Sequence, residues 1–139
     1  MEIIKEYGQL PIVNCCAGQL NQAFLNILNN AIDALEKQQQ PRTIVIRTEL
    51  KKAVLNANTE SEFSQCDRVV ICIADSGPGM TEDIHKRLFD PFFTTKPVGS
   101  GTGLGLSISY QIVVEKHRGT LRCISAPGQG AEFWIEMPV

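Results

Sequence analysis

The longest regular pattern in the chain is helical. Over residues 17–37, Leu20, Phe24, Ile27, Leu28, Ala31 and Leu35 recur at the three- and four-residue spacing of one buried helix face. At 100° per residue, with Gln22 as zero, Asn26, Asn30 and Asp33 fall at roughly 40°, 80° and 20°, while the apolar set centres near roughly 190°. These four polar residues therefore form a stripe facing away from the core. Strand patterns surround this helix. Residues 42–50 alternate Ile44, Ile46 and Thr48 against Val45, Arg47 and Glu49, and residues 68–74 are an apolar run. Residues 2–7 and 10–15 are predicted as two short strands around Gly8. Residues 120–125 and 131–138 form a last pair joined by a Pro-Gly-Gln-Gly turn, with Phe133 and Trp134 on opposite faces, so that one lies in the core. Two further helices are predicted. One covers residues 81–88, with Thr81 as N-cap and Asp83 in its first turn. The other covers residues 104–117, buries Leu106, Ile108, Ile112 and Val113, and ends at Gly119. Residues 51–67 are polar and aperiodic and are predicted as a long hairpin loop.

Composition narrows the class. A chain of 139 residues with 43% hydrophobic and 20% charged residues is a globular domain of ordinary size, and residues 1–139 are expected to form one unit. A net charge of −2 without a basic run argues against nucleic acid as the main partner. No apolar run is long enough for a membrane span, and residues 1–5 do not open a signal peptide. The five cysteines are odd in number and form no C-x-x-C pair, and Cys72 lies in an apolar strand as a small core residue. A reduced, cytoplasmic setting is expected.

The candidate chemistry lies in four segments. Asn26 and Asn30 stand one turn apart on the polar stripe, where amide oxygens suit a hard cation such as Mg²⁺ that keeps waters and phosphate oxygens in its shell. An ordinary polar helix face is the alternative. Asp75 ends a strand and opens D-S-G-P-G, which places an acceptor-only carboxylate beside two small residues, as an exocyclic amine would require. Phe89, Phe92 and Phe93 cluster between Pro91 and Pro97 and are expected to anchor a lid, from which Lys96 could reach a phosphate. Last comes GSGTGLGL, where Gly99, Gly101, Gly103 and Gly105 alternate with Ser100, Thr102, Leu104 and Leu106 ahead of a helix. A glycine-rich loop feeding a helix N-terminus presents free N–H groups to an anion. It is neither a P-loop, since no G-K-[ST] follows, nor a dinucleotide fingerprint.

In this order, the segments resemble the ATP-binding catalytic domain of two-component sensor histidine kinases, within the GHKL-type ATPases that include type II topoisomerases and Hsp90 chaperones. NQAFLNILNNAIDAL resembles the N box, DSGPGM the G1 box, FDPFFTTK the F box and GSGTGLGL the G2 box. NAIDAL and FFTTK are similar to the nitrogen-sensor-type subgroup. The resemblance implies an α/β (α+β) two-layer sandwich, with a mixed sheet of about five strands, about three helices on one face and an ATP lid. It implies ATP and Mg²⁺ as cofactors and transfer of the γ-phosphoryl group to a histidine on a separate dimerisation domain, with a response regulator downstream. Asn26, Asn30 and Lys96 would serve catalysis, with Asn30 as Mg²⁺ ligand and Asn26 at phosphate or the metal shell. Asp75 would accept from the adenine amine, with Gly77 and Gly79 admitting the base. Phe92 and Phe93 would tether the lid. Asp33, Thr94, Thr95, Gly99, Ser100, Gly101, Thr102, Gly103, Leu104, Gly105 and Leu106 complete the implied ATP set. The sequence departs from many histidine kinases in having Asp33 and Thr94 where those carry basic residues. His85 and His117 lack the context of a phosphoacceptor and are expected to be surface or packing residues, so the acceptor lies outside these residues. The isolated domain is expected to be a monomer without membrane contact. A GHKL-type ATPase and a nucleotide-sensing module without catalysis are the alternative readings.

Overall fold

In the computed structural model, which describes residues 1–36, 38–39, 41–53, 66–94 and 104–139, five strands form one mixed sheet. The strands are β1 (Glu2–Tyr7), β2 (Thr43–Lys51), β3 (Arg68–Asp75), β4 (Thr120–Ser125) and β5 (Ala131–Pro138), in spatial order β1-β2-β3-β5-β4. Only β1 and β2 pair in parallel. A parallel pair cannot be joined by a tight turn, and the crossover between them is α1 (Ala17–Glu36). Two shorter helices follow: α2 (Glu82–Arg87) and α3 (Gly105–Tyr110). Thr81 caps α2 as predicted, its hydroxyl accepting from the Ile84 amide.

Strand register decides which side chains meet the helices. Lys5, Ile46, Ile73, Phe133 and Cys123 lie side by side across the sheet. Two residues along, on the same face, Ile3, Ile44, Asp75, Ala131 and Ser125 form the next row. On this face Ile44, Ile73, Phe133 and Ile135 pack with Leu20, Ala23, Ile27, Ala31 and Leu35 of α1 into one core. Phe133 is fully buried and Trp134 points to the other face, between Cys72 and Arg122. There Glu136 is held by Lys51 at 2.9 Å and Arg68 at 2.8 Å. The expected α+β sandwich, with its mixed sheet and three helices, is therefore observed.

Three expectations about elements need correction. Residues 10–15 form no strand. Pro11 has no N–H to give a ladder, the Gly8 amide still bonds Thr48 of β2, and Ile12 is 99% exposed, while Val13 alone of this stretch packs partly against the core. The final helix is not uniform: after Tyr110 it widens to a π-helix over Gln111–Lys116. The change falls on the β-branched run Ile112–Val113–Val114, whose side chains crowd an α-turn. Within α3, Ile108 is exposed and Ser107 and Ser109 are buried, because small side chains let α3 lie close against α1.

Phe133 sits at the centre of this core, edge-on to Phe89 with ring centroids 6.4 Å apart. Phe133→Ala is expected to lower the unfolding free energy by about 3–5 kcal/mol in denaturant titrations. A loss below about 1 kcal/mol, the size of an average surface change, would contradict this placement.

Candidate functional site

Asp75 is the last residue of β3, and strand alternation turns it to the helix side, following the apolar Val69, Ile71 and Ile73 on the same face of the strand. Its side chain is buried, and Oδ1 accepts the Gly77 amide at 2.9 Å. Burial holds the carboxyl above its usual range, against the amides of Gly77 and Ala131, which pull it down. A Cβ on Gly77 would stand 2.8 Å from Asp75 Oδ1 and 3.2 Å from Ala34 of α1, so glycine leaves the carboxylate room. The turn is strapped from both sides. On one side, Gly79 has φ +71° and any Cβ would lie 2.0 Å from the Ala126 carbonyl, while Gly128 donates to the Pro78 carbonyl at 2.7 Å. On the other, Ser76 exchanges bonds with Thr43, its amide donating to the Thr43 carbonyl and its hydroxyl accepting the Thr43 amide.

The polar stripe of α1 faces this turn and α3. Gln22 is exposed, and Asn26, Asn30 and Asp33 are half-buried. Near the N-terminal end of the stripe, Asn26 Nδ2 donates to the carbonyl of Gly105, the first residue of α3, at 3.0 Å. Near the other end, Ala34 approaches Gly77. Eight residues of helix separate Asn26 from Ala34, about 12 Å along the axis. Leu104 stands at the N-cap of α3 and Leu106 packs against the core. Asn30 lies between the two ends, and no three His, Cys, Asp or Glu side chains converge on a metal position among the described residues. The donors here are therefore amide oxygens with Asp33 beside them, which fits a hydrated hard cation completed by ligand oxygens rather than an all-protein cage.

The aromatic segment differs from expectation. Phe92 is 74% exposed at φ +66°, and Phe93 lies under the Arg87 guanidinium, 4.6 Å from its ring centre. Phe89 is the aromatic anchored to the core, against Tyr110 at 5.5 Å and Phe133. Of the three clustered rings Phe89 is the one that meets the core, and the segment that Phe92 and Phe93 would tether lies outside the described residues. Thr94 is exposed, while Thr95, Lys96, Gly99, Ser100, Gly101, Thr102 and Gly103 lie outside the described residues. Both histidines make packing contacts. His85 Nε2 bonds the Cys123 carbonyl at 2.6 Å, and His117 joins the Ile112 carbonyl to the Cys16 amide.

A buried carboxylate at a glycine turn and an Asn-bearing helix that reaches a glycine-started helix share one side of the fold. Residues 17–139 match the family described as histidine kinase-, DNA gyrase B-, and HSP90-like ATPase. The chain belongs to this family. It is 40% identical to sporulation kinase E of Bacillus subtilis (strain 168) over 130 residues, covering 94% of this chain and 15% of that protein. It is 37% identical to the signal transduction histidine-protein kinase AtoS of Escherichia coli (strain K12) over 132 residues, 95% of this chain and 19% of that protein. The chain thus spans less than a fifth of these curated relatives. Among solved structures, the catalytic domain of histidine kinase ThkA, in a nucleotide-free form, aligns with a TM-score of 0.73 at 27% identity, over 99% of this chain and 79% of that one. Full-length ShkA in complex with AMPPNP aligns with a TM-score of 0.73 at 29% identity, over 99% of this chain and 25% of that one. No helix among the described residues is long and apolar enough to cross a membrane.

Sequence reasoning missed Gln22 as a partner of Asn26 and Ser109 as the contact between α3 and α1. The four-residue spacing of Gln22 and Asn26 was a usable signal for the first. A serine inside an apolar helical run carried none for the second.

Two stability measurements check this geometry. Gly79→Ala is expected to cost about 2 kcal/mol or more, whereas Gly128→Ala, at φ +77° but with nothing within 4 Å, should cost about 1 kcal/mol. Equal losses in thermal melts would remove the claimed contact with Ala126. Because folding raises the Asp75 pKa, the ionised carboxylate weighs against folding above its folded pKa, and that cost disappears as acid protonates it. Asp75→Asn is therefore expected to be at least as stable as the parent at pH 7. Its advantage should shrink as the pH falls through the carboxylate range, and an advantage that grows on acidification would refute the sign.

Proposed function

We propose that this domain binds ATP with Mg²⁺ and supplies the γ-phosphoryl group to a histidine on a separate dimerisation domain, in two-component signalling. The observation that carries the reading is the span of α1, which puts Asn26 at the start of α3 and Ala34 at the Asp75 turn. This puts a carboxylate suited to a base and an amide suited to phosphates towards opposite ends of one helix. Asp75 would accept the adenine amine, its polarity matched to a donor and its burial raising the discrimination, because a ligand that offers this buried carboxylate no donor leaves its charge without a further partner. Gly77 leaves the base an approach. The backbone N–H groups at the start of α3 and its dipole would face the phosphates. Asn30 would hold Mg²⁺, with Asn26 at its shell. The metal, when bound, neutralises phosphate charge. The protein's part is positioning and exclusion of water, as in phosphoryl transfer generally.

The names of the relatives support the kinase reading over a hydrolytic one, since sporulation kinase E, AtoS and the sensor histidine kinase ZraS are kinases by name. Membership of a nitrogen-sensor-like subgroup rests on NAIDAL and FFTTK. A response regulator as downstream partner, a cytoplasmic setting, monomeric behaviour in isolation and Lys96 as a phosphate contact belong to the same proposal.

Calorimetric titration with a non-hydrolysable ATP analogue tests the reading. Binding is expected to strengthen with Mg²⁺ and to fall at least about tenfold in Asp75→Asn and in Gly77→Ala, the size of one lost charged hydrogen bond. Undiminished binding by both variants would sink the adenine assignment. Mixing the domain with ATP and a histidine-bearing dimerisation domain should then yield acid-labile phosphohistidine. Phosphate release without labelling would favour an ATPase, and nucleotide binding with neither outcome would favour a sensing module.

A further inference from the structure

Four groups meet where α1 passes the start of α3. Asn26 Nδ2 donates to the Gly105 carbonyl at 3.0 Å, and Gln22 Nε2 donates to Asn26 Oδ1 at 2.9 Å. Ser109, fully buried, places its hydroxyl 3.1 Å from the same Gly105 carbonyl and 3.1 Å from the Ala23 carbonyl of α1. The orientation of the Asn26 amide follows from chemistry. A backbone carbonyl only accepts, so Gly105 demands the NH₂ end. The oxygen is left on the side of Gln22, and turning the amide over would set two oxygens against each other at α3. The single Ser109 proton can go to the Gly105 carbonyl or to that of Ala23, three residues before Asn26, so this hydroxyl sits between α3 and α1 at the same point.

We propose that Gln22 is a positioning residue for Asn26: its amide takes one of the two acceptor sites of the Asn26 oxygen and competes there with a Mg²⁺-bound nucleotide. This deepens the ATP reading above and rests on it. Three features support the proposal. An amide oxygen is the ligand type a hard cation takes, and a Gln amide is a donor that competes for the same lone pairs. Gln22 is exposed, so its side chain can swing to solvent without opening the core. Asn26 is tied at its other end to α3, so when Gln22 leaves, the oxygen stays aimed. Gln22 thus lowers the affinity gained from the metal without touching the part of the site around Asp75, which lies towards the opposite end of α1.

The test compares Gln22→Ala and Gln22→Met with the parent in titrations of a non-hydrolysable ATP analogue, in excess Mg²⁺ and in EDTA. Removing one competing hydrogen bond is expected to increase the Mg²⁺-dependent gain in affinity about three- to tenfold. Affinity in EDTA should be unchanged. Side-chain amide NMR adds a readout that a merely structural role would not move. In the parent, Mg²⁺ and the analogue together should shift the Gln22 amide resonances to solvent-like positions, and the analogue in EDTA should not. Thermal melting of both variants should match the parent. A Mg²⁺-dependent gain that is unchanged or smaller in both variants overturns the role of Gln22 and leaves the nucleotide reading standing. Failure of the parent to bind the analogue under any condition overturns both.

Discussion

Burial of one face of α1 against the sheet is the constraint on which the rest depends. Ala23, Ile27, Ala31 and Leu35 are almost completely excluded from water, and they meet Ile44, Ile73 and Phe133 across the layer. Once that face is committed, helical geometry leaves Asn26, Asn30 and Asp33 no choice but to line the opposite edge, beside α3 and the Asp75 turn. The polar stripe is half-buried not because it is apolar but because the elements that α1 holds in place lean over it. The small residues Ala23 and Ser109 at the α1–α3 contact bring the second helix close enough for a side-chain amide to reach its first carbonyl.

Asp75 shows the same logic at the level of the sheet. Its position at the end of a row of core residues puts a carboxylate where the neighbours are apolar, and burial raises its pKa. The surrounding backbone limits the damage without removing it. The Gly77 amide turns back onto Oδ1, and the β4–β5 turn packs against the segment, with Gly130 so close to the Asp75 carbonyl that a Cβ there would stand 2.1 Å away. A carboxylate held in a dry place costs stability, and the same burial is what discriminates a ligand that donates from one that does not.

Between these two features α1 acts as a ruler. Its two ends are read by different chemistry, an amide network at Gly105 and a carboxylate at Gly77, and its length sets the spacing. The sandwich shared with the catalytic domain of histidine kinase ThkA and with part of full-length ShkA is therefore less a container than a way of holding one helix at a fixed height above one strand end.

Much of this was legible in the sequence, because local periodicity and turn chemistry act over a few residues. The helix over residues 17–37, the strands at 42–50, 68–74, 120–125 and 131–138, the Thr81 cap and the polar stripe all follow from spacing alone. The motifs in their order named the family. What stayed hidden depends on contacts between residues far apart in the chain. Residues 10–15 stay unpaired although β1 is an edge strand, and of them only Val13 packs against the core. That Phe89 and not Phe92 is the anchored ring is decided by Phe133 and Tyr110. That Ser109 is buried while Ile108 is exposed is decided by the close approach of α1. The orientation of the Asn26 amide, finally, is set by a carbonyl 79 residues away, which no pattern along the chain can place.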